Sequence, residues 1–153
     1  MKPTELKPLA SFSLASTAGN EHEAMAQVAA VAATLGLSSK RIERLKTAVA
    51  EATMNATEHG NHFQPEVPVL IEVLGSETAL AVRITDSGGD KPLPPAETPD
   101  IEAKLAGLQK PRGWGLFLMS KMVDEVNVTA SHQHHTVELV LNLEGEDHEW
   151  TTA

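Results

Sequence analysis

The sequence predicts a two-layer α/β sandwich, a mixed and mainly antiparallel sheet covered on one face by helices. Apolar β-prone runs come in pairs with short turns between them. They are Val69–Leu74 with Leu80–Ile84, and Glu125–Ser131 with Thr136–Leu143. Strands joined by hairpins run antiparallel. Two helical stretches precede the first pair, each with its apolar residues on one side. Such helices have one face to bury, and one face of an antiparallel sheet receives it.

In chain order, residues 1–8 carry two prolines and charges and read as a flexible N-terminus. Leu9–Thr17 alternates well enough for a strand. Ala18-Gly19-Asn20 breaks it, with Asn20 placed to cap a helix whose first turn holds Glu21 and Glu23. That helix carries Ala24, Met25, Val28, Ala29, Ala32 and Leu35 on one face and ends at Gly36. Ser38 or Ser39 starts a second helix, with Ile42, Leu45, Ala48, Val49, Ala52 and Ala56 in line and Gly60 as its stop. A proline-bearing loop covers Asn61 to Pro68, and the first hairpin turns at Gly75-Ser-Glu-Thr. Asp86-Ser-Gly88-Gly-Asp90 follows its second strand. The stretch from Asp86 to Arg112 contains a proline-rich run and a short helical signal at Ile101–Gln109. It is too long for a mere connector and reads as a lid over about residues 87–112. A further helix starts at Gly113–Gly115, with Leu116, Met119 and Val123 facing in. The last hairpin turns through a His-rich segment, and residues 144–153 form an acidic tail.

One domain, about residues 9–143, is the expectation for 153 residues. The net charge of −9 argues against binding a phosphate backbone across a broad face, so no direct nucleic-acid contact is expected. It leaves room for a nucleotide held by backbone N–H groups and a metal ion. The chain lacks cysteine, which excludes disulfides and thiolate chemistry. No run suits a signal peptide or a membrane span, so a cytoplasmic protein away from the membrane is expected.

The chemistry concentrates in Glu51-Ala-Thr-Met-Asn55-Ala-Thr-Glu-His59-Gly60. Glu51 and Asn55 are four apart, so they share a helix face, one turn above the other, beside the apolar line. A carboxylate and a carboxamide there suit a proton acceptor next to a hard cation, though a solvated helix edge has the same pattern. Asp86-x-Gly88 at a strand end offers an acceptor to an exocyclic amine. Arg112-Gly113-Trp114-Gly115-Leu116 opens a helix, where free N–H groups and the dipole attract phosphate. Trp114 either caps the ligand or packs the helix on the sheet. His59 and His62, and His132, His134 and His135, come without the cysteines or carboxylates of a zinc site and read as turn histidines. His59, in the Glu51–Gly60 stretch, is the one with an alternative role, a contact to phosphate.

Four segments, EATMNATEHG, ITDSGG, RGWGLFLMSKMVDEV and HTVELVL, resemble the Bergerat-fold (GHKL) ATP-binding domains. Within that superfamily the chain is similar to the anti-sigma-factor serine/threonine protein kinases of bacterial partner-switching systems. The resemblance implies ATP and Mg²⁺ as cofactors. It puts the adenine-binding Asp on Asp86, the magnesium-binding Asn on Asn55 and the general base on Glu51. The Thr of the adenine network falls on Thr136, and the phosphate-side glycines on Gly113 and Gly115. Two positions depart from the pattern. Asp90 stands where a third glycine is usual, and His135 stands where Gly often precedes that Thr, a change expected to affect the turn only. The implied partners are a STAS-domain anti-anti-sigma protein, a sigma factor and a second copy of the chain. The alternative is a non-catalytic ATP-binding module that sequesters a regulatory partner.

Overall fold

The computed structural model describes residues 5–88 and 114–143. The expected tail at 144–153, the helix at Ile101–Gln109, Asp90, Arg112 and Gly113 lie outside them, as does nearly all of the expected lid. Five strands form one sheet in the order β1-β2-β3-β5-β4. They are β1 (Lys7–Leu14), β2 (Val69–Gly75), β3 (Ala79–Asp86), β4 (Glu125–Ala130) and β5 (His135–Asn142). Every pairing is antiparallel. The helices are α1 (Glu21–Ala33), α2 (Ser39–Asn55), continued by a single π turn (Ala56–Gly60), and α3 (Trp114–Met122). Helix α2 lies in the middle, packed between α1 and α3 and against β3 and β5.

The core follows the strand alternation. Val69, Ile71 and Val73 on β2, Leu80, Val82 and Ile84 on β3, and Val137, Leu139 and Leu141 on β5 are buried on the face the helices cover. The helices bring Ala24, Val28 and Ala32 from α1, Leu45, Ala48, Val49 and Ala52 from α2, and Met119 from α3. Small residues dominate these helix faces, which lets the helices lie close to the sheet and to one another. Among the described residues no helix is long and apolar enough to cross a membrane.

Several boundaries differ from expectation for local reasons. Strand β1 starts at Lys7, inside the segment expected to be loose, and ends at Leu14 rather than Thr17. Ser16 instead turns inward, and its hydroxyl donates to the Val67 carbonyl at 2.6 Å. Ser38 caps α2 by accepting from the Arg41 N–H at 3.2 Å. Asn20 does not cap α1. Its carboxamide donates to Ala15 O at 3.0 Å and to Thr57 Oγ1 at 2.8 Å, tying the start of α1 to the π turn. The buried Arg41 guanidinium donates to the Asn142 carbonyl and lies 3.8 Å from Asp124 Oδ2. This pins the first turn of α2 to the end of β5.

Candidate functional site

Glu51 and Asn55 stand on consecutive turns of α2, both partly buried. Neither makes a side-chain hydrogen bond to another described residue. Burial pushes the Glu51 carboxyl above the usual carboxylate range, and the charge on Glu21 pushes it further. Glu21, in the first turn of α1, is therefore a site neighbour. The sequence marked it only as a helix-dipole residue. A cleft of about 220 Å³, which neither Glu51 nor Asn55 lines, has Glu21 and Asn20 on one wall and Met54, Thr57, Glu58 and Phe63 on the other.

After Asn55 the helix widens. The Asn61 N–H reaches back to the Ala56 carbonyl at 2.9 Å, the five-residue bond of a π turn. His59 is partly buried on this turn, and Gly60 ends it. Gly60 does more than stop the helix. A Cβ built there would stand 2.2 Å from Asp86 Cγ and 2.5 Å from each carboxylate oxygen. The absence of a side chain lets the Asp86 carboxyl lie directly against the backbone. Gly88 serves the same end, since a Cβ on it would sit 2.8 Å from Asp86 Oδ1 and 3.1 Å from Gly60 Cα. The π turn thus runs from the Asn55 carboxamide to the Asp86 carboxylate.

Asn61, read from the sequence as loop, fixes this junction. It is buried, and its Nδ2 donates to Ser16 Oγ at 3.0 Å and to the carbonyls of Val67 and Pro68, each at 3.2 Å. Its Oδ1 accepts from the Ser87 N–H at 2.8 Å. One side chain thereby locks the end of α2, the following loop and the turn after β3.

Asp86 is the last residue of β3 and is 3% exposed. Burial raises its carboxyl above the usual range. The Gly88 N–H, 2.7 Å from Oδ1, and the His135 imidazole oppose that shift. His135 corrects the sequence reading. It belongs to β5 rather than to the turn, is the cross-strand partner of Asp86, and is 3% exposed. Its Nδ1 lies 3.3 Å from Asp86 Oδ2.

Thr136 is corrected as well. Successive residues of a strand face opposite sides, so Thr136 points away from Asp86. Its hydroxyl meets that of Thr85 at 2.8 Å on the far face of the sheet. The structure therefore brings together Glu51 with Asn55, and Asp86 with Gly60, Gly88 and His135, and it leaves Thr136 out. Helix α3 opens at Trp114 and packs on α2. Backbone alone is described for Trp114, Gly115 and Leu116. Among the described residues no cluster of three or more His, Cys, Asp or Glu side chains could hold a metal ion. The donor set suits Mg²⁺ instead, which takes one or two protein oxygens and completes its shell with phosphates and water. Asn55 Oδ1 is the oxygen that would hold it.

An antiparallel sheet covered on one face, with a glycine-closed junction between its central helix and a strand-end carboxylate, defines a kinase-like ATPase domain of the GHKL type. The family model described as histidine kinase-like ATPase domain matches residues 14–141, and the chain belongs to that family. It is 31% identical over 122 residues to an anti-sigma F factor of Bacillus cytotoxicus, covering 76% of this chain and 80% of that protein. It is 32% identical over 133 residues to the serine-protein kinase RsbW of Bacillus subtilis strain 168, covering 79% and 78%. A crystal structure of the RsbU and RsbW domains of Rv1364c from Mycobacterium tuberculosis superposes with a TM-score of 0.62 at 19% identity. The match covers 91% of this chain and 32% of that one, and it supports the fold alone.

Proposed function

We infer that the protein is an ATP-dependent protein serine/threonine kinase and anti-sigma factor, and that it phosphorylates a STAS-type anti-anti-sigma protein. The observation that carries this reading is Glu51. It is a partly buried carboxylate whose proton affinity is raised by burial and by Glu21, one turn from an oxygen donor for a metal. A module that only bound ATP would have no use for a tuned base. The relatives named anti-sigma F factor and serine-protein kinase support the same reading.

In this account Asp86 accepts a hydrogen bond from the adenine amine, and Gly60 and Gly88 let its carboxyl lie against the backbone. The role of meeting the phosphates is assigned here to Arg112, Gly113, the N–H groups that open α3 and His59. Asn55 would hold Mg²⁺, which would neutralise phosphate charge there. Glu51 takes the proton of the incoming hydroxyl. That oxygen forms a bond to the γ-phosphorus as the bond to the β-phosphate oxygen breaks, releasing ADP. The new phosphate adds nearly two negative charges to the partner, which an acidic kinase repels. A sigma factor, a second copy of the chain and a cytoplasmic location complete the proposal.

Incubation with labelled ATP and a candidate STAS protein tests it. Label on a serine or threonine of the partner is the expected result. A stable ATP-dependent complex without label would favour the non-catalytic module.

A further inference from the structure

Asp86 and His135 are cross-strand partners, and both are buried. The terminal torsion of an Asp side chain is soft, and Gly60 and Gly88 present no Cβ to this one. Two contacts set its direction instead. The Gly88 N–H donates to Oδ1 at 2.7 Å, and the His135 imidazole meets Oδ2, with Nδ1 at 3.3 Å. The second contact has two possible forms. Either Nδ1 carries a proton and donates to an ionised carboxylate, or a protonated Asp86 donates to Nδ1 and the ring proton sits on Nε2. Nε2 decides between them. It is buried and has no hydrogen-bond partner among the described residues. An N–H there would be an unmet buried donor, a rarer orphan than an unmet lone pair. The proton therefore belongs on Nδ1. It stays there whether the ring is neutral or charged, so His135 donates on both sides of the imidazole titration.

We propose that His135 is a positioning residue of the nucleotide site: its Nδ1–H fixes the direction of the Asp86 carboxyl and keeps it an acceptor for the exocyclic amine of the base. The proposal rests on the nucleotide reading above. Burial favours a protonated Asp86, which would present an O–H in place of one acceptor. His135 opposes this from β5, and His134, in the turn before it, adds a weaker pull of the same sign. The π turn brings Glu58 and His59, and α2 brings Glu51. Among the described residues, His135 and His134 are the side chains whose charge acts on Asp86. Each carboxylate oxygen keeps a lone pair for a ligand beside the donor it already has.

The experiment is ATP affinity by calorimetry between pH 5.5 and 8 on wild type, His135→Leu and His135→Asn, with thermal melts alongside. Leu keeps apolar volume and has no donor. Asn is smaller, but its amide donates from near the Nδ1 position. His135→Leu should bind ATP about 5- to 10-fold more weakly than wild type at pH 8, the loss of one neutral hydrogen bond. The gap should widen as pH falls, because Asp86 without His135 takes up its proton at a higher pH. His135→Asn should stay within about threefold of wild type, since the donor is restored. A residue needed only for packing gives the reverse order, with Leu tolerated and Asn impaired. That order, or a gap that does not change with pH, overturns the proposal. The tautomer is read on the wild type alone and is independent of mutant folding. Two-bond ¹H–¹⁵N correlation at pH 8 should find a proton on His135 Nδ1, and a ring protonated on Nε2 alone overturns the proposal. A wild type that binds no adenine nucleotide overturns the nucleotide reading itself. Tight ATP binding by wild type and His135→Leu alike removes this inference only.

Discussion

Gly60 and Asp86 touch without a side chain between them, and a Cβ on Gly60 would overlap the Asp86 carboxyl at 2.2 Å from Cγ. The two residues come from different layers, the end of the α2 segment and the end of β3. Gly60→Ala must therefore displace either the carboxylate or the π turn. It is expected to weaken ATP binding as much as Asp86→Asn, about 5- to 150-fold for one well-placed acceptor. Calorimetry on both variants checks this. Wild-type affinity in a folded Gly60→Ala would show that the close approach has no part in the site.

Asn61→Ala removes every hydrogen bond of one buried carboxamide, to Ser16 Oγ, to the carbonyls of Val67 and Pro68 and from the Ser87 N–H. The expected cost is about 2–4 kcal/mol of stability, read as a shift in the urea midpoint without a change in slope. A loss under about 0.5 kcal/mol, ordinary for a surface site, would mean that the junction is held elsewhere.

Asn55→Ala removes the carboxamide oxygen proposed to hold Mg²⁺. Nucleotide binding is expected to become independent of Mg²⁺ while the fold is retained, because the oxygen lies beside the core and not in it. Titration of ATP with and without Mg²⁺ is the check. A mutant that keeps the full magnesium effect would place the ion on other ligands.

The raised carboxyl of Glu51 makes a stability prediction with a definite sign. The folded state holds its proton more tightly than the unfolded chain. Stability from this group is thus complete below the ordinary glutamate pKa and is lost as pH rises through the raised folded value. At neutral pH the ionised Glu51 is a burden on the fold. Glu51→Gln should melt above wild type near pH 7, and the gap should close as pH falls below the ordinary glutamate range. Glu21→Gln should act in the same direction with a smaller effect, since burial is the larger cause. A Glu51→Gln melting point at or below wild type at pH 7 would contradict the assigned environment.

Periodicity made much of this legible. The apolar line of α2 and both hairpins follow from residue spacing, and Glu51 and Asn55 share a face because a helix repeats every 3.6 residues. The misreadings have a common cause: they depend on which distant element arrives. Gly60 has the look of a helix stop because glycine usually ends helices, and only the approach of Asp86 reveals its steric role. Thr136 and His135 are neighbours, and a shift of one residue exchanges the faces of a strand. Nothing in the spacing states that β5 begins at His135. Asn61 reads as a polar loop residue until Ser16, Val67 and Ser87 surround it.

The central claim is that Glu51 is the base of a phosphoryl transfer, and single-turnover transfer from ATP to the STAS partner tests it most directly. Wild type should transfer to a serine or threonine. Glu51→Gln keeps the helix and the nucleotide site, so ATP affinity should hold or rise slightly and the complex with the partner should live longer. Its transfer rate should fall by about 10²- to 10⁴-fold, the usual contribution of a general base. Transfer by Glu51→Gln within about threefold of wild type, below the low end for such a base, would contradict the role of Glu51. A wild type that binds the partner and transfers nothing would contradict the kinase reading as a whole.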